Sequence, residues 1–203
     1  MVSVVFTNEL RNRITRNLAA FERRELSADR LRHAAVGVVV LSDETNRACF
    51  ILTRRLDTLR RHSGQWALPG GRLEANETAE SAALREIHEE VGLNLPAQAV
   101  LGRLDDFISR SGHLISPFVL WAGDDAILSV SPDEVDAAYR VPLAELDRPG
   151  GLSMEPLLHF SLPSLHSTVH APTAAMIYQF REVAVHGRTV RVADVEQPFF
   201  AWS

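Results

Sequence analysis

The chain has 203 residues, 46% of them hydrophobic and 23% charged, with a formal net charge of −5 and one cysteine. These values describe an ordinary globular chain with room for a real core, and the acidic balance argues against a general nucleic-acid or membrane-surface binder, which would be basic. A lone Cys49 excludes an internal disulfide, no apolar run reaches the roughly 18 residues of a membrane span, and no secretory leader opens the chain, so the expectation is a soluble cytoplasmic protein.

Residues 6–26 place Leu10, Ile14, Leu18 and Phe21 at helical spacing, with Thr7 or Asn8 available as a cap. The spacing predicts an amphipathic helix in residues 1–30, packed on a domain of residues 31–203; a phosphate-binding or homodimer-forming arm is the alternative. Residues 33–42 and 47–54 are short β-rich apolar runs joined by a turn-like linker, which predicts a hairpin of central strands. Cys49 sits inside the second run and reads as a buried structural thiol rather than a nucleophile. Residues 54–71 are then polar and basic, ending in Pro69, Gly70 and Gly71.

The stretch from Gly71 to Leu93 is the most informative in the chain. Thr78 is placed to cap a helix, residues 79–91 contain strong helix formers and neither glycine nor proline, and Gly92 is placed to end it in a left-handed turn. On that helix Glu86, Glu89 and Glu90 stand at i, i+3 and i+4, so their carboxylates share one face. Like charges at this spacing cost a few tenths of a kcal/mol per pair, and the last turn is the negative end of the macrodipole. A cluster of hard oxygen donors in such a place calls for a divalent cation, Mg2+ or Mn2+. Arg85 can pair with Glu89 four residues on and aim it.

Beyond the helix, residues 97–108 and 114–121 read as two further strands separated by residues 109–112. Residues 130–136 form a loop with Asp133 and Glu134, residues 139–142 a short strand and residues 143–146 a helical turn. Residues 147–170 hold several prolines and glycines and give no regular pattern. Residues 171–184 predict a second helix, with Pro172 in its first turn and Gly187 past its end; residues 188–192 read as a last strand. No His-Glu-x-x-His or Cys-x-x-Cys pattern occurs, so zinc is not expected.

Gly71, five residues, Glu77, seven residues, Arg85, Glu86, Ile87, then Glu89, Glu90, Gly92 and Leu93 resembles the Nudix box at every fixed position. Seven fixed residues at about 6% background would coincide by chance on the order of 10⁻⁹ times per start position. The resemblance implies an α/β Nudix fold, an α/β/α sandwich with a mixed sheet, and metal-dependent hydrolysis of a nucleoside diphosphate derivative. It implies Glu86, Glu89, Glu90 and the Gly70 carbonyl as metal ligands, with Glu89 or Glu134 as general base.

Residues 51–71 are in turn similar to the signature of the coenzyme A pyrophosphatase branch: Leu52, Thr53, Arg55, Arg60, Gly64, Pro69, Gly70 and Gly71 match in register. Ile51, Leu56 and Leu68 depart from it. On this resemblance Thr53, Arg55, Arg60, His62 and Gly64 are the candidate substrate contacts, and arginine suits bidentate phosphate recognition. The implied partner is a small-molecule nucleotide, coenzyme A or an acyl-coenzyme A. A Nudix hydrolase for ADP-ribose, a nucleotide sugar or a nucleoside triphosphate, and a non-catalytic Nudix-fold binding module, stay open as alternatives.

Overall fold

The computed structural model describes residues 3–27, 31–56, 65–124, 126–133, 135–195 and 197. Its centre is β1 (Arg32–Ser42), whose side chains alternate between two cores. Val38 and Val40 join one cluster, and Ala35, Val39 and Leu41 the other. β2 (Ala48–Arg55) repeats the alternation, with Phe50 and Leu52 against Cys49 and Ile51. Strands buried on both faces this way belong to a three-layer sandwich.

β1 pairs antiparallel with β2 as the predicted hairpin, β3 (Trp66–Ala67) adds to β2, and β4 (Gly70–Arg72) pairs with β1. After α2 (Ala79–Val91) come β5 (Val100–Arg103), β6 (Phe107–Ile108) and β7 (His113–Gly123). β7 runs parallel to β1, from Arg32↔His113 onward, which makes the eight-stranded sheet mixed. β8 (Val135–Pro142) completes it beside β2. The fold is the α/β sandwich the resemblance implied.

One layer is α2, whose Ala83, Ile87 and Val91 pack with Ala35, Val39 and Ile51. A fully buried side chain such as Ile87 contributes about 1.5–3 kcal/mol. The opposite layer holds α1 (Asn8–Ala20), capped by Thr7, whose hydroxyl accepts from the Leu10 N–H at 3.2 Å, with Leu10, Ile14 and Leu18 buried. Beside it lie α3 (Thr173–Gln179) and the π-helical turn Phe180–Val185 that continues it. Cys49 is fully buried and burial pushes its thiol up to about 12, which removes it as a nucleophile.

Four sequence expectations change. The single strand expected over residues 97–108 breaks at Leu104–Asp106, because Asp105 and Asp106 are buried and take donors that a strand would not offer. Asp105 accepts from the Arg24 N–H at 2.7 Å and from Arg191 at 2.8 Å, and Asp106 from the Ser116 hydroxyl at 2.7 Å. Residues 188–192 are not a strand for the same reason: Arg191 is drawn to Asp105 and to the Glu22 carbonyl. The short strand expected at 139–142 begins at Val135, since pairing with β2 carries it through Asp136 and Ala137. The unpatterned residues 147–170 contain a small antiparallel sheet of β9 (Leu152–Ser153), β10 (His159–Leu162) and β11 (Ser167–His170). Strands of two to four residues are too short to show a period.

Candidate active site

The site grows from the junction of β4 and α2. Thr78 caps α2, its side-chain oxygen accepting from the Ser81 N–H at 3.1 Å, and Gly92 closes it at φ 74 with its N–H on the His88 carbonyl. This frames the acidic face as expected. The Gly70 N–H donates to Glu90 Oε2 at 3.1 Å, which fastens the sheet to the helix.

Arg85 is the hub. Its Nε and Nη2 donate to the two oxygens of Glu77 at 2.9 and 3.0 Å, its Nη1 to Glu86 at 3.0 Å and Glu89 at 2.8 Å, and its Nη2 to the Arg72 carbonyl at 3.0 Å. Such a fork answers much of the repulsion among the helix carboxylates. The Arg85 guanidinium holds Glu77 below its ordinary carboxylate range, and Glu77 first, then Glu86 and Glu89, push Arg85 higher still.

The three glutamates divide. Glu86 and Glu90 line a cleft of ≈ 630 Å³, whereas Glu89, with its side chain 49% exposed, rests against Arg85. Among the described residues no three His, Cys, Asp or Glu side chains are grouped to hold a metal between them. Arg85 Nη1 holds Glu86 and Glu89 alike, and of the three glutamates Glu86 and Glu90 line the cleft. The donor set still suits Mg2+ or Mn2+: two carboxylates facing one cleft beside a backbone carbonyl are hard oxygens, and Mg2+ commonly takes one or two carboxylates and completes its shell with water and substrate phosphate.

The other expected contacts fall in different places. Arg55 lines the same cleft, and its Nε is buried without a hydrogen-bond partner among the described residues. Thr53 does not: it is buried on β2 with its hydroxyl donating to the Ala67 carbonyl at 3.3 Å, so it holds β2 to β3 rather than offering a ligand. Arg60, His62, Gly64 and Glu134 lie outside the described residues. His88, between the box glutamates, is exposed.

Sequence reasoning missed Trp66, Arg72, His113 and Met176, which also line the cleft. Arg72 Nε donates to His113 Nε2 at 3.3 Å, two residues 41 positions apart. Only the register reveals this: β4 puts Arg72 beside Ala34, and β7 puts Ile115 on the other side of Ala34.

Comparison with known proteins accords with this geometry. The NUDIX domain family matches residues 31–159. "Nudix hydrolase 3" of Caenorhabditis elegans is 31% identical over 173 residues, covering 80% of this chain and 72% of the worm protein. The Nudix hydrolase NudL of Escherichia coli is 35% identical over 124 residues, covering 61% of this chain and 65% of NudL, a little under two thirds of its length. Among solved structures, a MutT/nudix family protein from Enterococcus faecalis has a TM-score of 0.52 at 21% identity, over 81% of this chain and 67% of that one. The NUDIX domain of Shewanella oneidensis NrtR, crystallised with ADP ribose, has a TM-score of 0.53 at 18% identity, over 82% and 96%. At these identities the two structures speak for the fold. A domain match over more than half of the chain, together with an unbroken Gly71-to-Leu93 pattern whose Glu86 and Glu90 face the cleft, means that this chain belongs to the Nudix hydrolase family.

Proposed function

We propose that the cleft hydrolyses the diphosphate linkage of coenzyme A or an acyl-coenzyme A, giving 3′,5′-ADP and 4′-phosphopantetheine or its acyl form. The observation that carries this reading is that one cleft contains both the α2 carboxylates and Arg55, the arginine of the coenzyme A-like signature and a side chain suited to bidentate phosphate contact. Glu86, Glu90 and the Gly70 carbonyl would hold Mg2+ or Mn2+, with Glu89 beside them; the chemistry a divalent ion supplies when bound is charge neutralisation at the diphosphate and a more acidic water.

The chain's own part is positioning and charge, which dominate phosphoryl transfer. Arg85 fixes the directions of Glu86 and Glu89 and stays cationic throughout. Water attacks one phosphorus, the bridging oxygen leaves with the other phosphate, and a carboxylate takes the proton of the water. Glu89 and Glu134 are the candidates for that base. Residues 1–30 are read as an addition packed on a Nudix domain of residues 31–203, supported by the burial of Leu10, Ile14 and Leu18. Among the described residues no helix is long and apolar enough to cross a membrane.

Product analysis after incubation with coenzyme A and with ADP-ribose, each with Mg2+ and with Mn2+, tests the reading. Release of 3′,5′-ADP supports it. Cleavage of ADP-ribose alone overturns the substrate, and no turnover of any diphosphate restores the non-catalytic binding module.

A further inference from the structure

Two cavities share one wall. The cleft that holds Glu86 and Glu90, and a second chamber of ≈ 180 Å³, are both lined by Gln65, Trp66, Pro172 and Thr173. The remaining wall of the small chamber is β11, from Ser167 to His170, with Ala171. β11 and α3 lie beyond the family match, which ends at residue 159.

Trp66 is held from three directions although its strand is only two residues long. Its indole N–H donates to the Ser167 hydroxyl at 2.8 Å, its ring meets Tyr139 edge-on at 5.1 Å, and its carbonyl accepts from the Thr173 hydroxyl at 3.2 Å. A side chain held by its indole N–H and ring, on a backbone tied to Thr173 and lining both cavities, is preorganised to present its surface to a ligand.

The chemistry of the small chamber restricts what enters it. Among the described residues its lining offers the hydroxyls of Ser167, Thr168 and Thr173, the Gln65 amide and the His170 imidazole, and no lysine, arginine, aspartate or glutamate. Burial first, then the neighbouring His159, push the His170 pKa down, disfavouring its charged form. A neutral, hydroxyl-lined space is ill suited to a phosphate. Its volume is also below the roughly 300–1,000 Å³ that takes a drug-sized ligand, so it suits a length of chain and not a nucleoside. On the cleft side of Trp66, Met176 and Pro172 add apolar surface.

Resting on the coenzyme A reading of the cleft, we infer that Trp66, positioned by Ser167 and Thr173, is a specificity-determining residue that receives the uncharged pantetheine chain. The apolar parts of that chain lie on the indole and Met176, and its amides meet the hydroxyls of the chamber. The segment beyond the family match, β11 and the start of α3, thereby selects the non-nucleotide half of the substrate.

Isothermal titration with 4′-phosphopantetheine and, separately, with 3′,5′-ADP tests this on the full chain with Mg2+ present, comparing the unmodified protein with Trp66→Ala. Trp66→Phe and Ser167→Ala are the milder variants should the alanine fail to fold. Affinity for 4′-phosphopantetheine is expected to fall about tenfold or more in Trp66→Ala and severalfold in Ser167→Ala, with 3′,5′-ADP changed by less than about twofold. Equal losses for both ligands, or a loss for 3′,5′-ADP alone, overturn the inference by assigning the indole to the base. Unchanged affinities in all variants overturn it as well. An unmodified protein that binds neither ligand instead removes the coenzyme A reading, a result distinct from tight binding that Trp66 does not influence.

Discussion

Gly71 and Glu86 lie so close across the β4–α2 junction that a β-carbon at residue 71 would stand 2.2 Å from Glu86 Oε1 and 2.4 Å from its carboxyl carbon. The sheet edge and the helix interlock there, and the missing side chain is what lets the Glu86 carboxylate lie flat against the backbone and face the cleft. The box glycine is thus a steric requirement of the carboxylate fifteen residues later. Gly70 meets a second limit, because a β-carbon there would lie 2.3 Å from the Ala35 carbonyl oxygen of β1.

Replacing Gly71 by alanine is expected to push the Glu86 carboxylate aside while leaving the fold intact. A displacement of about 1 Å in a positioning group can cost on the order of 10²-fold in rate, while a melting temperature lowered by no more than about 4 °C would mark a loss of roughly 1 kcal/mol. Steady-state kinetics beside thermal denaturation separates the two effects. Near-normal turnover in Gly71→Ala would contradict the steric account.

Arg85→Lys keeps the charge and loses the fork. Arg85 reaches both oxygens of Glu77 and also Glu86 and Glu89, and an ammonium cannot span them. The expected result is a fall in kcat of about 10- to 100-fold. Glu77→Gln should give a smaller loss, and the double variant less than the sum of the two, because both changes break one network.

Metal dependence should separate the glutamates. Chelation is expected to abolish turnover, with Mg2+ or Mn2+ restoring it. Glu86→Gln and Glu90→Gln should each raise the metal concentration needed for half-maximal rate by roughly 10-fold or more, whereas Glu89→Gln should act chiefly on kcat. Comparing Glu89→Gln with Glu134→Gln assigns the base: the base costs orders of magnitude in kcat and a surface acid almost nothing.

Asp43 carries an acid-side stability signature remote from the site. Burial opposes its ionisation, but hydrogen bonds from the Arg47 and Thr45 backbone N–H groups and from the Arg47 side chain outweigh this and bring it from 3.8 to about 2. A folded-state value below the unfolded one stabilises the protein above a pH of about 3.8 and is lost as the pH falls through about 2. Asp43→Asn is expected to lower Tm by about 2–4 °C at neutral pH, corresponding to about 1 kcal/mol. That difference from the unmodified protein should shrink on acidification through the same window. A gap that stays constant down to about pH 2 would refute the coupling, as measured by thermal melts across pH.

The parts of this protein that could be read along the chain are those whose physics is local. Thr78, the run to Val91 and Gly92 announce a capped helix because each acts within one turn of its neighbours. The unbroken apolar run of Val38, Val39, Val40 and Leu41 announces a central strand, because a strand buried on both faces needs apolar side chains on each. The carboxylates of Glu86, Glu89 and Glu90 were legible as a charge problem needing a cation, since helical spacing alone puts them on one face of α2.

Two things were settled only by folding. One is the division among those glutamates: Arg85 has five oxygen partners in reach once β4 lies against α2, Glu86 and Glu89 among them, while Glu86 and Glu90 line the cleft. The other is the composition of the cleft wall, where Trp66, Arg72, His113 and Met176 meet through strand register and the packing of α3. Periodicity and capping depend on residues a few positions apart and are written into the sequence by itself. Which distant side chains share a cavity depends on pairings across dozens of residues, and only the tertiary structure decides them.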